Sequence, residues 1–590
     1  MAAIKISAFL GETPRTAERL LGGTQAQIAE NVDLNSGEIR PINQLKKVYT
    51  PPVPGNYLSA YRATFEGAEK WRAWTMDVNV AATTMGYGSS QRYFWTGDGC
   101  PRYALYSEFG TTEYAVGLPA PTLKNTVTPS GGVSTVISRS YLYTFYNPDT
   151  GEESGPSPVS DITSGKVDDT WTIANFSNTP ANTRAAAWRT ANLKQRLYRT
   201  SGTVAQFQLV AERAVSTGSW ADNITDAAML GDDLLSNLWE PPLEDLKGLI
   251  SLPNGCLVGF SGKTLCFSEP MQPHAWPAKH QFLTSYPIVG IEAYGNTVVI
   301  ATTAYPYVAS GNDPATVTLD DLKKIWPCLS KRSVCAVGDG VIFATKEGLA
   351  YIGSSGMDIL TKSLFTQREW EPLNPASMAC AHVNGRVYVR YQPDNENART
   401  YIIDSKEAAQ LTRLSLGPDA WYVDKENGGL YLVSDSVDAY NAETGARLLF
   451  NWTSREVEMP VPMNFGACRV EYDVGATLEQ QIAEQAAYEA DLAANEAAVA
   501  AGLMGTYNAD SYNTYAINDL NLLPLRRPAG YLAIVLKNRE GEFFSEEVLQ
   551  SGSFRLPSGF KSDLFTVQII GNVRVNSVKF AETMSGLREV

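Results

Sequence analysis

A short pattern recurs five times between Ser251 and Ser434 and constrains the fold more than any other feature of this chain. Each copy is a turn rich in glycine and asparagine followed by a run of apolar or β-branched residues. Glycine and asparagine adopt positive φ at little cost, so each copy predicts a tight hairpin. A spacing of about 40–50 residues matches one four-stranded propeller blade. The runs start at Cys256, Thr297, Val341, Arg386 and Leu430, which are 41, 44, 45 and 44 residues apart.

The repeat therefore predicts a β-propeller over residues 231–455. Upstream, the turn Gly97-Asp98-Gly99 follows an aromatic run and resembles the later turns. It predicts an additional blade, or half of one, within residues 46–126. Propellers usually serve as rigid platforms for binding and assembly, and the fold by itself does not specify a catalytic activity.

Residues 127–230 have a different pattern of residue types. The segment SRSYLYTFYNPDTGEESGPSPVS, from Ser138, alternates tyrosine with serine and threonine and then reaches a turn rich in proline and glycine. Alternation at a period of two is typical of a half-buried antiparallel strand. Roughly a hundred residues of short strands and frequent turns predict a small, fibronectin-like β-sandwich inserted between propeller segments.

Residues 456–590 predict a β-rich domain that contains one helical insertion at 477–502. Thr477 with Gln480 forms a capping box, and Gly502 is a natural helix stop. The stretch between them is dominated by Ala, Glu, Gln and Leu, and no Lys or Arg occurs between Arg469 and Arg526. The insertion is therefore an acidic helix.

The fold class predicted for the chain is all-β and multi-domain, with a β-propeller, an inserted small β-sandwich and one acidic helical excursion. Residues 1–45 are expected to form an extended amino-terminal arm with one short helical stretch. A length of 590 residues exceeds what one core accommodates, which agrees with several domains.

The charge of the chain argues against stable nucleic-acid binding. Its formal net charge is −15, whereas a protein that grips nucleic acid needs a basic face to displace counterions from phosphates. No uninterrupted apolar stretch approaches about 18 residues, so no membrane span is expected. The amino terminus lacks the pattern of a secretory signal. Seven scattered cysteines indicate free buried thiols rather than a disulfide framework.

No linear motif of catalysis or cofactor binding is present, so neither a catalytic residue, a cofactor nor a metal ligand is predicted. Glu269 and His274 form a conceivable acid–base pair, but a rigid loop between blades, with Trp276 packed against a neighbour, is the preferred interpretation. Asp320 and Asp321 are adjacent acids whose expected role is to stabilise a helix start rather than to cleave glycosides.

Five segments stand in this order along the chain: QAQIAENVDLNSGEIRPI, YLYTFYNPDTGEESGPSP, WEPPLEDLKGLISLPNGCLVGFSGKTLCFSEPMQPHAWP, PCLSKRSVCAVGDGVIFATKEGLAYIG and FRLPSGFKSDLFTVQIIGNVRV. Together they resemble segments of bacteriophage virion proteins of the tail nozzle or tail tubular B type. The resemblance extends from about residue 15 to the end, and the acidic helix is its least similar part. The motifs that carry it are structural and do not mark a catalytic site.

The resemblance implies a structural virion protein, made in the bacterial host cytoplasm, that forms the distal tail nozzle of a short-tailed phage. It also implies a homohexameric ring as a conduit for genome ejection, with transient passage of viral DNA. A tail adaptor ring, tail fibres or spikes, and a tail plug or needle are the partners that it implies.

The acidic helix has two interpretations, which are compatible. In the first, Leu478, Ile482, Leu492 and Val499 dock on the protein and the acids form a solvated face. In the second, one helix from each subunit lines a channel with negative charge that repels phosphates. The candidate channel-lining acids are Glu479, Glu484, Glu489, Asp491 and Glu496.

The segment from Gly22 to Ile42 is the candidate intersubunit tie, because an extended arm gains order by docking in an assembled particle. Its candidate contact residues are Gln25, Gln27, Asn31 and Arg40.

Two other functions remain open at this point. One is a receptor-binding or polysaccharide-depolymerising tail protein that uses the propeller rim, which the plentiful aromatic residues would allow. The other is a propeller hydrolase outside any virus. A ring with a central hole would support the conduit, whereas a monomer or trimer acting on polysaccharide would support the rim function.

Overall fold

The computed structural model describes most of the chain and divides it into two units. The first comprises residues 1–52, 344–351 and 357–590, and the second comprises 53–343 and 352–356. The described residues are 3–83, 90–181, 184–201, 206–229, 231–394, 396–406, 408–441, 446–475, 478–500, 530–539, 541–557, 559 and 561–588, without the side chains of 478–480 and 498–500.

Three of the five predicted repeats form separate four-stranded sheets, the fourth forms four strands at one end of a larger sheet, and the fifth supplies three strands of a four-stranded sheet. We call these groups of four strands blade-type sheets, and in every repeat the recurring turn joins the first two strands. The turns take the left-handed backbone conformation that their residue types favour. Local turn chemistry therefore sets the hairpin in every copy. Residues with positive φ in these turns are Gly255, Gly295, Gly338, Asn384, Gly385 and Gly428.

The second unit contains three blade-type sheets, two of which are predicted repeats. The earliest lies in the stretch where one blade or half of one was expected, and it has all four strands. Its Gly97-Asp98-Gly99 turn joins the second and third strands instead of the first and second. The sheets are Asn79–Ala82, Arg92–Thr96, Arg102–Leu105 and Tyr114–Ala115; Lys247–Ser251, Leu257–Ser261, Thr264–Phe267 and Gln281–Leu283; and Ile288–Tyr294, Thr297–Thr302, Tyr307–Ser310 and Thr318–Asp321.

The first unit contains two further blade-type sheets, and one of them takes its fourth strand from the amino terminus. Lys46–Tyr49 pairs with Val437–Ala439, at the edge of a sheet whose other strands are Ala420–Val423 and Leu430–Val433. The other is Ala379–Val383, Arg386–Tyr391, Arg399–Asp404 and Leu411–Leu414. One more sheet consists of Cys335–Ala336, Gly340–Ala344, Leu349–Gly353 and Gly356–Ile359, and three of the four points at which the chain changes unit lie within it.

The inserted sandwich occupies residues 126–222 of the second unit. Tyr141, Trp171 and Leu197 belong to its buried core, beside the buried ion pair of Arg199 with Asp222. The hydroxyl of Tyr141 donates to Asp222 at 2.9 Å, which satisfies part of that buried carboxylate. Its sheets are Thr126–Ser130, Thr170–Ala174 and Trp220–Asp222; Val136–Arg139 and Thr163–Lys166; and Glu152–Glu153, Tyr141–Asn147, Lys194–Thr200 and Phe207–Ala214. A separate hairpin, Ser59–Phe65 and Ala68–Trp74, precedes the earliest blade.

Two sheets of the first unit enclose a carboxy-terminal core to which the amino terminus contributes Ile4, Ile6 and Phe9. One sheet is Ala3–Ile6, Arg574–Ala581, Ala467–Asp473 and Gly552–Arg555. The other extends the sheet that ends at Leu411–Leu414 with Ala26–Glu30, Phe450–Ser454, Ser562–Gly571, Leu532–Asn538 and Gly541–Glu547, and Val457–Met463 pairs with Ser562–Gly571. A two-stranded sheet joins Val32–Asp33 to Arg40–Pro41.

Two α-helices are described, Gln367–Trp370 and Leu478–Ala500. No helix among the described residues is both long enough and apolar enough to cross a membrane. Single turns of 3₁₀-helix are Glu18–Leu20, Tyr106–Glu108, Asp226–Ala228, Ser236–Leu238, Ala278–His280, Pro314–Thr316, Lys331–Ser333, Glu371–Leu373, Pro375–Ser377 and Gly586–Arg588.

The predicted fold class is confirmed: the chain is an all-β, multi-domain protein with propeller blades, an inserted sandwich and one acidic helix. The seven cysteines are free, and six of them are buried. One local expectation was wrong, because Asp320 and Asp321 end the strand Thr318–Asp321 and do not begin a helix. Thr477 and Gly502, the predicted helix boundaries, lie outside the described residues.

Candidate functional site

The acidic helix, Leu478–Ala500, turns part of its negative charge toward the protein. Glu484 and Asp491 are 3% and 6% exposed, although both are carboxylates. They are seven residues apart, which is close to two helical turns, so they lie on one side of the helix. This side faces the rest of its unit.

The buried Glu484 carboxylate is held by Arg447, whose side chain is also buried. Arg447 Nε donates to Glu484 Oε1 at 2.6 Å, and Nη2 donates to Oε2 at 3.1 Å. The backbone N–H of Arg447 adds a third bond to Oε1 at 3.1 Å. Nη1 donates to the carbonyl of Val474. A buried guanidinium requires such an anion, because an unpaired charge is costly away from water.

The exposed part of the helix surface carries apolar side chains among acids. Ile482 is 60% exposed and Leu492 is 37% exposed. The expectation that these two residues dock on the protein was therefore wrong, because the ion pair with Arg447 orients the helix the other way. The side chains of Leu478 and Val499, named with them, lie outside the described residues.

The five candidate channel-lining acids do not share one surface. Glu484 and Asp491 are buried, which corrects their assignment to an exposed lining. Glu489 and Glu496 are exposed, and Glu489 accepts a bond from the Gln485 amide at 2.8 Å. The Glu479 side chain lies outside the described residues. A lining role for the exposed acids stays a prediction.

The amino-terminal segment is built into the core of its own unit. Ala26–Glu30 pairs antiparallel with Phe450–Ser454. The ring of Phe9 meets that of Trp452 edge to face, with centroids 4.9 Å apart, and the Trp452 indole donates to the carbonyl of Leu10 at 3.1 Å. These contacts join residues more than 400 positions apart in the chain.

The candidate arm residues are engaged within the chain. Asn31 is buried: its amide donates to the Leu449 carbonyl at 3.0 Å, and its side-chain oxygen accepts from the backbone of Ser415 at 3.0 Å. Gln25 accepts from the backbone N–H of Gly22 at 2.7 Å. Gln27 lies half-buried in the strand Ala26–Glu30, and Arg40 pairs with Glu38 at 3.3 Å. Their intersubunit role stays a prediction.

Glu12 is a buried titratable group in this segment that the sequence did not reveal. It pairs with Arg413 at 2.7 Å and accepts from the backbone N–H of Ala29 at 2.8 Å. Burial raises its pKa to about 7, because desolvation of the charged form outweighs the attraction of Arg413. Neither Glu12 nor Arg447 stands in a recognisable motif, so only their burial marks them.

Glu269 and His274 do not form an acid–base pair. Glu269 faces Lys279 at 3.1 Å and His280 at 3.9 Å. His274 is buried, packs edge to face on Trp239, and accepts from the backbone N–H of Glu153 at 3.3 Å. Burial lowers the pKa of His274 to about 3. The histidine is therefore neutral and holds the loop in place.

Metal chemistry has no evident location in the part of the chain that the structure describes. There, His, Cys, Asp and Glu side chains do not gather in groups of three or more that would hold a metal ion.

Trp276 packs in a core cluster with Leu246 and Leu257, as expected for a rigid loop that packs against a blade.

Comparisons with known proteins give distant structural neighbours. No protein-family model and no curated protein matches the chain. Among solved structures, the WD40 domain of Neurospora crassa Pan2 is 11% identical with a TM-score of 0.24, covering 47% of this chain and 84% of that one. The amino-terminal domain of Nup159 is 10% identical with a TM-score of 0.21, covering 42% and 86%. Similarities of this size carry no argument about function.

Proposed function

We propose that this chain is a structural virion protein that forms the distal tail nozzle ring of a short-tailed bacteriophage. The ring would be a homohexamer and a conduit for the leaving genome. The observation that carries the proposal is the sequence resemblance to tail nozzle proteins, which extends from about residue 15 to the end. The quoted segments contribute strands to the blade-type sheets, the sandwich and the carboxy-terminal core.

The charge of the chain supports a conduit over a stable DNA-binding protein. A net charge of −15 disfavours adhesion of phosphates to the protein surface. Rapid passage of DNA requires a surface that does not bind it tightly. Blade-type sheets supply a rigid frame, and the inserted sandwich and exposed loops remain for an adaptor ring, fibres or a plug.

The test is the mass and shape of the purified chain. Native mass spectrometry is expected to give six copies, and electron microscopy is expected to show a ring with a central hole. A monomer or trimer that binds or degrades surface polysaccharide would overturn the proposal and support a receptor-binding or depolymerising tail protein.

A second measurement connects the ring to ejection. Phage particles that lack the protein should fail to release DNA when triggered, and purified wild-type rings should restore release. If particles without the protein eject normally, the conduit function is wrong even if the chain forms rings.

A further inference from the structure

Three cations lie in one row across the outer carboxy-terminal sheet. Lys5 is directly opposite Lys579, and Lys579 is directly opposite Arg469 on its other side. We call these residues the cationic row. Adjacent strands are about 4.8 Å apart, and like charges that face each other across strands are destabilising. Such a row is an unusual arrangement in a chain whose net charge is −15.

The cationic row lies on the side of the sheet that faces away from the core. The residues that alternate with it, including Ile4, Val578 and Val470, are buried in the carboxy-terminal core. Lys5 and Arg469 are exposed, and Lys579 is half-buried. Because successive side chains of a strand point to opposite faces of the sheet, the cationic row lies on the face that is turned away from the core.

The carboxylate of Glu471 offsets part of this charge. Glu471 pairs with Arg469 at 2.7 Å and accepts from the Ser577 hydroxyl at 3.0 Å. The ion pair is exposed on both sides, with 44% and 41% of the side chains accessible. The cationic row and Glu471 together keep a net positive charge.

The exposed stripe of the acidic helix has the complementary charge. Ile482, Glu489 and Glu496 follow one another at intervals of seven residues, so they share the side opposite Glu484 and Asp491. We call these three residues the exposed stripe. Its two carboxylates are separated by about 10.5 Å along the helix. The outer cations of the row are two strand spacings apart, or about 9.6 Å.

We infer that the cationic row of one copy of this chain binds the exposed stripe of the acidic helix of a second copy. Opposite charges at matched spacing give the contact its register, and Ile482 adds apolar area. The partner surfaces differ, so the contact is head-to-tail, as a closed ring requires. The inference rests on the proposed ring and names the surfaces that join its subunits.

A nucleic acid is the less favoured partner of the cationic row. Three cations beside a carboxylate form a small footprint compared with the basic face that phosphate binding requires. The acidic helix belongs to the same chain and is present at the same concentration. Variants of each surface distinguish the two partners.

The first arm of the experiment reverses each surface separately. Lys5→Glu with Arg469→Glu, or Glu489→Lys with Glu496→Lys, should raise the dissociation constant for self-association about tenfold. Sedimentation velocity over a dilution series measures this constant. The matched control, Lys346→Glu with Lys425→Glu, makes the same charge change at exposed lysines elsewhere and should leave association unchanged.

The second arm tests rescue. A chain with all four reversals at the row and the helix should regain wild-type association, because the opposite charges face each other again. Since Arg469→Glu places a second acid beside Glu471, the milder pair Lys5→Gln with Lys579→Gln is measured too, and a smaller weakening is expected. Circular dichroism checks that each variant is folded.

The outcomes separate this inference from the proposed function. If the wild-type chain forms rings and the row variants form them equally well, the proposed contact is wrong, but the nozzle function is unaffected. Wild-type association through this contact without ring closure would support the contact and overturn the nozzle. Row variants that assemble normally but lose binding to a short DNA duplex would assign the row to nucleic acid. Helix variants that assemble normally but change the rate of DNA release would assign the stripe to the lumen.

Discussion

The Arg447 guanidinium lies 2.6 Å from the Glu484 carboxylate, and this buried pair determines which side of the acidic helix faces the protein. Without a cation beneath it, the helix would be expected to bury Ile482 and Leu492 and to expose its acids. With Arg447 in place, two acids point inward and the apolar side chains point outward. The exposed stripe that we assign to a subunit contact is a consequence of this pair.

Glu484→Gln should destabilise the unit that contains the helix. The substitution leaves Arg447 buried without its anion, and loss of one partner of a buried pair costs about 3–5 kcal/mol. The free energy of unfolding in urea measures the effect. Glu489→Gln, at an exposed position of the same helix, is the control and should change it by less than about 0.5 kcal/mol. Equal effects of the two variants would contradict the burial of Glu484.

Phe9→Ala should show that the amino-terminal segment stabilises the carboxy-terminal core. The ring is fully buried against Trp452, and its removal leaves a cavity that costs about 3–5 kcal/mol. Urea denaturation followed by tryptophan fluorescence reports on this core. Leu20→Ala, at a side chain that is 69% exposed, is the control and should be nearly neutral. A neutral Phe9 variant would mean that the segment is a detachable arm.

Glu12 should give stability a pH dependence of defined sign. Its pKa is about 7 in the folded chain and 4.5 as the reference value, so between these pH values the folded chain holds more protons than the unfolded chain. Its contribution to stability is therefore present below about pH 4.5 and is lost as pH rises through 7. Relative to Glu12→Gln, the wild-type protein should lose up to about 3 kcal/mol between pH 4.5 and 8.

The measurement for Glu12 is the difference in unfolding free energy between wild type and variant at several pH values. Taking the difference removes groups common to both chains, such as His274, whose lowered pKa acts in the opposite direction. A difference that does not change with pH would show that Glu12 titrates normally.

Gly97→Ala should be more destabilising than Gly67→Ala. Both glycines have positive φ, at 122° and 78°. A Cβ at Gly97 would lie 2.4 Å from the backbone oxygen of Asp77, whereas a Cβ at Gly67 would meet no atom within 4 Å. Backbone strain alone costs about 1–2 kcal/mol, so the Gly97 variant should exceed that value and the Gly67 variant should not. Thermal unfolding of the two variants, compared under one condition, tests this order.

The blade-type sheets could be predicted because their information is local. A residue that tolerates positive φ, followed directly by a β-branched run, specifies a hairpin within about ten residues. Gly295 and Asn384 are examples, since each adopts the predicted backbone between paired strands. The acidic helix was predictable for the same reason, because its composition and lack of breakers act within one segment.

The orientation of that helix was not predictable from its own residues. Its apolar positions favoured docking, but Arg447, which lies 37 residues before Glu484, decides the outcome. The burial of Glu12 against Arg413 involves a separation of 401 residues. In neither pair does the sequence around one residue identify the other residue as its partner.

The sequence by itself determined the hairpins, the alternating strands and the helix, because turn chemistry and side-chain periodicity act between near neighbours. Only the tertiary structure decided that Lys46–Tyr49 completes a sheet of residues 420–439. Likewise, Lys5, Arg469 and Lys579 become neighbours only through strand pairing. The physical reason is that pairing over hundreds of residues depends on the total free energy of burial and hydrogen bonding, which no local pattern encodes.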